Sequence, residues 1–225
     1  KTKQPVTIGG KLPVASLRIG DATAPWEFQA IREDAASWGR RHSDGFVEQV
    51  VAELDNTRPT LVFSLKADNP AQEERRIAVE VASWWHGSDE AIGRQNTLEV
   101  CLLTVKQTAW QRDYLTYIGG RKTPFSVPRG TRMLTLSERH FCQAIRPGTE
   151  SAQTTLLSWA GSPTAVGARA EFGVSIASGA TSRTLAEIYL GPRGFFSLEQ
   201  AGFEQAFPLG LLSRIGLMLM ALLRG

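Results

Sequence analysis

Apolar and polar positions alternate along much of this chain. In the stretch TLVFSLK, Leu61, Phe63 and Leu65 fall on one face, and Thr60, Val62, Ser64 and Lys66 on the other. Ile77, Val79 and Val81 alternate with Ala78 and Glu80. A period of two is that of a strand with one buried face. Similar β-branched stretches predict strands near residues 46–54, 60–66, 76–84, 97–106, 132–136, 140–145, 154–159, 168–176 and 184–190. Turn residues separate them: Gly9-Gly10, Ala67-Asp68-Asn69-Pro70, Gly119-Gly120, Pro128-Arg129-Gly130, Arg146-Pro147-Gly148 and Ser178-Gly179. A strand and turn every 10–15 residues or so predicts an all-β antiparallel sandwich rather than βαβ units. A helical pattern interrupts it at residues 34–40.

After Gly194 the pattern changes. Ser197, with Gln200 three residues on, has the spacing of a capping box and predicts a short helix through about Ala206, which Pro208 ends. From Leu209 to Arg224 the period is helical. On a wheel of about 100° per residue, Gly210, Ser213, Arg214, Ala221 and Arg224 gather on a narrow strip that also takes Leu217. Leu211, Leu212, Ile215, Met218, Leu219, Leu222 and Leu223 fill the rest. At about 1.5 Å per residue this helix is too short to cross a hydrocarbon core; its broad apolar face suits a membrane interface or a buried core helix, and its position after the sheet domain favours the interface. The expected division is 1–194, a sandwich domain, and 195–225, a helical segment leading to the membrane surface.

Composition narrows the classes. With 42% hydrophobic and 21% charged residues over 225 positions, the chain can bury a core and is not a disordered tail. Its 25 basic and 22 acidic residues give a formal charge of +3, too mild to predict a nucleic-acid partner. Cys101 and Cys142 allow one bridge at most, and their apolar strand contexts suggest free thiols. No run reaches the ~18 apolar residues of a membrane span. A chain opening on Lys1 is expected to be a mature fragment or an excised domain.

Candidate chemistry is sparse. His140 and Cys142, two apart on one strand face, offer two metal ligands and would need Glu138 as well, short of the four of a structural zinc site. Ser137, Glu138 and His140 lie on one strand and cannot converge as a triad. Trp84-Trp85-His86-Gly87 pairs two indoles that suit either a sugar-stacking platform or the core. The stretch carrying Arg121, Lys122, Arg129 and Arg132 has no acid, and predicts a basic interaction loop for anionic lipid or an acidic partner. Phe195-Phe196 beside Arg193 suits a membrane edge or a core. A sugar-active reading needs a His and a carboxylate in one cleft, and His86 or His140 with Glu80 or Glu138 are its parts. No catalytic residue, metal or cofactor is called for.

One resemblance spans nearly the whole chain. Ile188-Tyr189-Leu190-Gly191-Pro192-Arg193, a short helix, then Pro208-Leu209 and a leucine-rich amphipathic helix, resembles the end of the large periplasmic domain of YidC family membrane protein insertases, with Arg193 in place of a lysine. Gly9-Gly10-Lys11-Leu12 with Leu17, the segment from Leu61 to Leu65 leading to Asn69, and the stretch from Leu134 to Pro147 resemble further pieces in the same order. The resemblance implies a β-supersandwich similar in shape to galactose mutarotases, on the periplasmic side of the inner membrane. It implies a non-catalytic interaction and positioning module of an insertase that helps inner-membrane proteins insert and fold, alone or with the Sec translocon. The partners implied are the lipid surface and, through the whole protein, nascent membrane proteins and Sec components. The alternative, from the residues and the sandwich together, is a mutarotase-like sugar-binding or carbohydrate-active periplasmic protein.

Overall fold

The computed structural model describes residues 15–20, 24–55, 57–86, 98–106, 109–117, 125–126, 131–137, 141–148, 153–158 and 165–206. Fourteen strands are described: β1 (Ala15–Ile19), β2 (Glu27–Ile31), β3 (Ala35–Arg41), β4 (Val47–Asp55), β5 (Thr60–Asn69), β6 (Arg75–His86), β7 (Leu98–Lys106), β8 (Ala109–Tyr117), β9 (Phe125–Ser126), β10 (Thr131–Ser137), β11 (Phe141–Pro147), β12 (Gln153–Ser158), β13 (Ala165–Ile176) and β14 (Gly179–Pro192). A helix, α1 (Phe195–Gln200), and a 3₁₀ turn at Glu204–Ala206 follow.

Among the described residues the strands form two sheets, one ordered β1-β6-β13-β12-β9 and one ordered β2-β3-β4-β5-β14-β11-β10-β7-β8. The alternation read from β5 and β6 is what buries one face of each sheet. Ile77, Val79 and Val81 of β6, with Ala170, Phe172, Val174 and Ile176 of β13, pack against Val50, Phe63, Leu65, Ile145 and Ile188 of the larger sheet. At roughly 25 cal/mol per Å² of apolar surface, this shared layer is the main force holding the sheets together.

The larger sheet has a second core on its other face. Met133, Cys142, Ala144 and Tyr189 point away from the first core and meet Leu198, Ala201, Phe203 and Ala206. Here α1 and the 3₁₀ turn cover the middle of the sheet. Arg146 clamps them: its Nη1 donates to the carbonyl of Gly202 at 2.8 Å, its guanidinium lies 4.4 Å from the centre of the Phe203 ring, and it pairs with Glu187.

Three expectations are corrected here. Residues 34–40 are not helical: Ala35–Arg41 is strand β3, paired with β2 and β4. Its local helical pattern loses to two hydrogen-bonded neighbours. Ser197 lies inside α1 rather than capping it, and Gly194 holds the N-cap position in extended backbone. Arg132 is part of strand β10 rather than a loop. Cys142 is a buried free thiol.

Candidate functional site

The β3–β4 hairpin turns through Ser43-Asp44-Gly45. His42 N donates to Phe46 O at 2.8 Å, and Gly45 adopts φ 87°, a left-handed conformation that glycine enters without a steric penalty. The Asp44 carboxylate accepts from the Phe46 N–H at 3.1 Å and from Arg75 at 2.6 Å. These bonds hold it below the usual aspartate range, the Phe46 amide first and Arg75 next. Arg75 in turn stacks over Phe46, 4.3 Å from the ring centre. The turn is therefore fixed from within and tied to the start of β6.

A fixed turn sets the register behind it. Arg40 stands opposite Glu48 on the two strands. Both side chains point between the sheets, with 2% and 1% of their surface exposed. Glu48 Oε2 accepts from Arg40 Nε and lies 2.8 Å from His42 Nε2. Arg40 also crosses to the other sheet, where Nη2 donates to the carbonyl of Ile19 at 3.3 Å. Its guanidinium lies 4.3 Å from the centre of the Trp26 ring. Gly20 permits this crossing, because a Cβ there would sit 3.2 Å from Arg40 Nη2.

Two polar atoms of this cluster, Arg40 Nη1 and Glu48 Oε1, are buried without a hydrogen-bond partner. One is a donor and the other an acceptor. Leaving either unmet costs roughly 1–3 kcal/mol, and more for a charged group. Joining the sheets does not account for them. A hydroxyl is a group that can accept from such a donor and donate to such an acceptor. Of Arg40, His42 and Glu48, His42 is the most exposed, with 8% of its side chain open to solvent. A neutral imidazole donating from Nε2 to Glu48 carries its lone pair on Nδ1. The cluster thus combines an imidazole, a carboxylate that orients it, a cation and an indole.

The residues singled out from sequence fare differently. Glu80 pairs with Arg18 at 3.9 Å and Arg169 at 3.6 Å within the smaller sheet, so its charge is already engaged. Ser137 is buried in β10. Trp84, Trp85 and His86 continue β6 beside β13, and their side chains lie outside the described residues. So do Glu138 and His140, the basic residues Arg121, Lys122 and Arg129, and the whole amphipathic segment with Leu211, Leu212, Arg214, Ile215, Met218, Leu219, Leu222, Leu223 and Arg224. His42, Glu48, Arg40 and Trp26 were missed. The available signal was Asp44-Gly45, a strong hairpin dipeptide, which places Arg40 across from Glu48 once the turn is fixed.

No family model matches the chain, and no curated protein matches it. Solved structures do. A galactose mutarotase related enzyme from Lactobacillus acidophilus superposes with a TM-score of 0.51 at 9% identity, over 73% of this chain and 70% of that one. A galactose mutarotase-like protein from Lactobacillus casei gives 0.51 at 10% identity, over 73% and 72%.

These likenesses overturn the resemblance to the YidC insertases, and the insertase and chaperone functions go with it. Among the described residues no helix is long and apolar enough to cross a membrane. The expectation of a non-enzymatic module is corrected too, since the sandwich is shared with a protein described as an enzyme. The motif that misled has a local cause. Tyr189 Oη donates to the Pro192 carbonyl at 2.7 Å. A Cβ on Gly191 would lie 2.7 Å from Pro59 and 2.8 Å from Tyr189 Oη. Tyr-x-Gly-Pro is therefore the packing requirement of one strand end, open to any sandwich that needs such a corner. At 9% and 10% identity the likeness establishes the fold, which is an all-β supersandwich of the galactose-mutarotase type.

Proposed function

We propose that this chain is a carbohydrate-active protein that binds a neutral aldose at the Arg40–His42–Glu48 cluster and interconverts its anomers. One observation carries the reading. A histidine with a carboxylate behind it stands beside a buried donor and a buried acceptor, the two kinds of group a sugar hydroxyl can meet. Anomer exchange needs little more. His42 takes the proton of the anomeric hydroxyl, the C1–O5 bond breaks, and the imidazolium so formed passes that proton to O5 as the aldehyde forms. Rotation about C1–C2 and the reverse steps close the ring as the other anomer, with no net change in atoms or electrons. Glu48 orients the imidazole and stabilises it when protonated. Arg40 donates to a sugar oxygen, and Trp26 supplies an apolar wall. The fold supports the reading, being shared with a galactose mutarotase related enzyme.

The test follows α-D-glucose and α-D-galactose by polarimetry, with and without the 225-residue chain. The expected result is relaxation faster than the spontaneous rate, falling by about 10²-fold or more in His42→Ala, whose circular dichroism stays that of the wild type. No acceleration with either sugar, or an unchanged rate in His42→Ala, overturns the catalytic role. Saturable quenching of tryptophan fluorescence without acceleration would leave a sugar-binding protein.

A further inference from the structure

We propose that β2 is a self-pairing edge, through which two copies of this chain join antiparallel and extend the nine-stranded sheet across a two-fold axis. The inference is independent of the sugar reading. Among the described residues β2 ends its sheet, with β3 as its neighbour. All five of its residues are exposed. Such an edge presents unpaired N–H and C=O groups, and proteins usually blunt it with charge, proline or a twist. Here it carries Phe28, 58% exposed, and Ile31, 75% exposed.

A bulge decides what this edge offers. The register shifts between Phe28 and Ala30, so Phe28 stands opposite Trp38 and Ile31 opposite Ala36. Residues three apart in a regular strand point to opposite faces. The extra residue brings Phe28 and Ile31 onto one face. The bulge is also secured: Gln49 Nε2 donates to Gln29 Oε1 at 2.8 Å. The Gln29 amide lies over Gly39, where a Cβ would be 1.9 Å from Gln29 Nε2. A bulge held this firmly, which gathers apolar side chains instead of scattering them, suits an interface.

The edge is complementary to itself. Arg32 N donates to Ala35 O, so strand alternation turns the backbone groups of Ile31 outward. The bulge keeps Phe28 in the same phase. Two copies centred on the Gln29–Ala30 bulge then set Phe28 against the partner's Ile31 and Glu27 against the partner's Arg32, each twice. Glu27 and Arg32 form no ion pair among the described residues. Both apolar pairs lie on one face and both ion pairs on the other, a match that a partner of different sequence would have to reproduce by coincidence.

Sedimentation equilibrium on the 225-residue chain tests this, with circular dichroism confirming that each variant folds. The wild type should be a dimer. Glu27→Arg and Arg32→Glu should each raise the dissociation constant by about tenfold, because each puts like charges opposite one another twice. The double variant Glu27→Arg/Arg32→Glu should restore the wild-type value, and Ile31→Lys should give monomer. A wild type that stays monomeric at its highest soluble concentration overturns the proposal. So does dimerisation that the single charge changes leave untouched, or a double variant no tighter than the singles.

Discussion

Arg40 and Glu48 carry opposite charges into a space where water cannot solvate them. Their mutual attraction offsets that cost only while both are present. Glu48→Ala leaves a buried guanidinium with the Ile19 carbonyl and the Trp26 face as its remaining partners. We expect it to cost about 3–5 kcal/mol in urea unfolding, the range for breaking a buried pair from one side. Arg40→Met/Glu48→Leu removes both charges and keeps the bulk. It should be markedly more stable than Glu48→Ala, even though it abolishes any activity that needs the carboxylate. A double variant as unstable as the single one would mean that Arg40 holds the sheets together through Ile19 and Trp26 rather than through its charge pair. Neither side chain stands out in the sequence, where an Arg eight residues before a Glu has no meaning until the turn between them is fixed. Asp44-Gly45 carries that information, and the register follows from it.

At the scale of elements, legibility tracks how much each strand depends on its neighbours. β4, β5 and β6 have one buried face and strong alternation, so their own residues announce them, whereas β11 is buried on both faces and reads as a short, mostly apolar run. β2 and β3 do not. Glu-Phe-Gln-Ala-Ile lies wholly exposed, and Ala-Ala-Ser-Trp-Gly-Arg-Arg mixes small and charged residues, so pairing rather than pattern makes both strands. β14 and the segment after α1 show a further dependence, since Tyr189 and Phe203 pack with ring centres 5.7 Å apart. Burial, and after it the nearby Cys142, raises the Tyr189 hydroxyl from its usual value of 10.0 to about 12. A raised value means that the folded state holds the proton more tightly than the unfolded one. The stability this lends is complete below pH 10.0 and is lost as the pH rises toward about 12. Tyr189→Phe should lose about 1 kcal/mol at neutral pH with its hydrogen bond to Pro192, and its stability should fall less steeply between those two pH values. Parallel curves for the two proteins across that window would place the titration elsewhere.

For the molecule as a whole, chain order and sheet order are interleaved. β6 lies between β1 and β13, and β14 lies between β5 and β11, so neither sheet is built from one contiguous stretch of sequence. The shared core takes Phe46, Val50, Phe63 and Leu65 from the first third of the chain and Phe172, Val174, Ile176 and Ile188 from the last. No half can bury its apolar face without the other. α1 and its 3₁₀ turn are not a separate unit either, because Leu198 and Phe203 are fully buried against the back of the larger sheet. Differential scanning calorimetry should therefore record one transition for the described body, with the calorimetric enthalpy equal to the van't Hoff enthalpy. Urea curves followed by tryptophan fluorescence and by far-ultraviolet circular dichroism should coincide. In a variant that keeps Trp26 and Trp38 of the six tryptophans, fluorescence reports on the β2–β3 end, whereas dichroism averages over both sheets. A fluorescence transition that precedes the dichroic one would show that the β2–β3 edge opens on its own, and would divide the sandwich into an edge and a core.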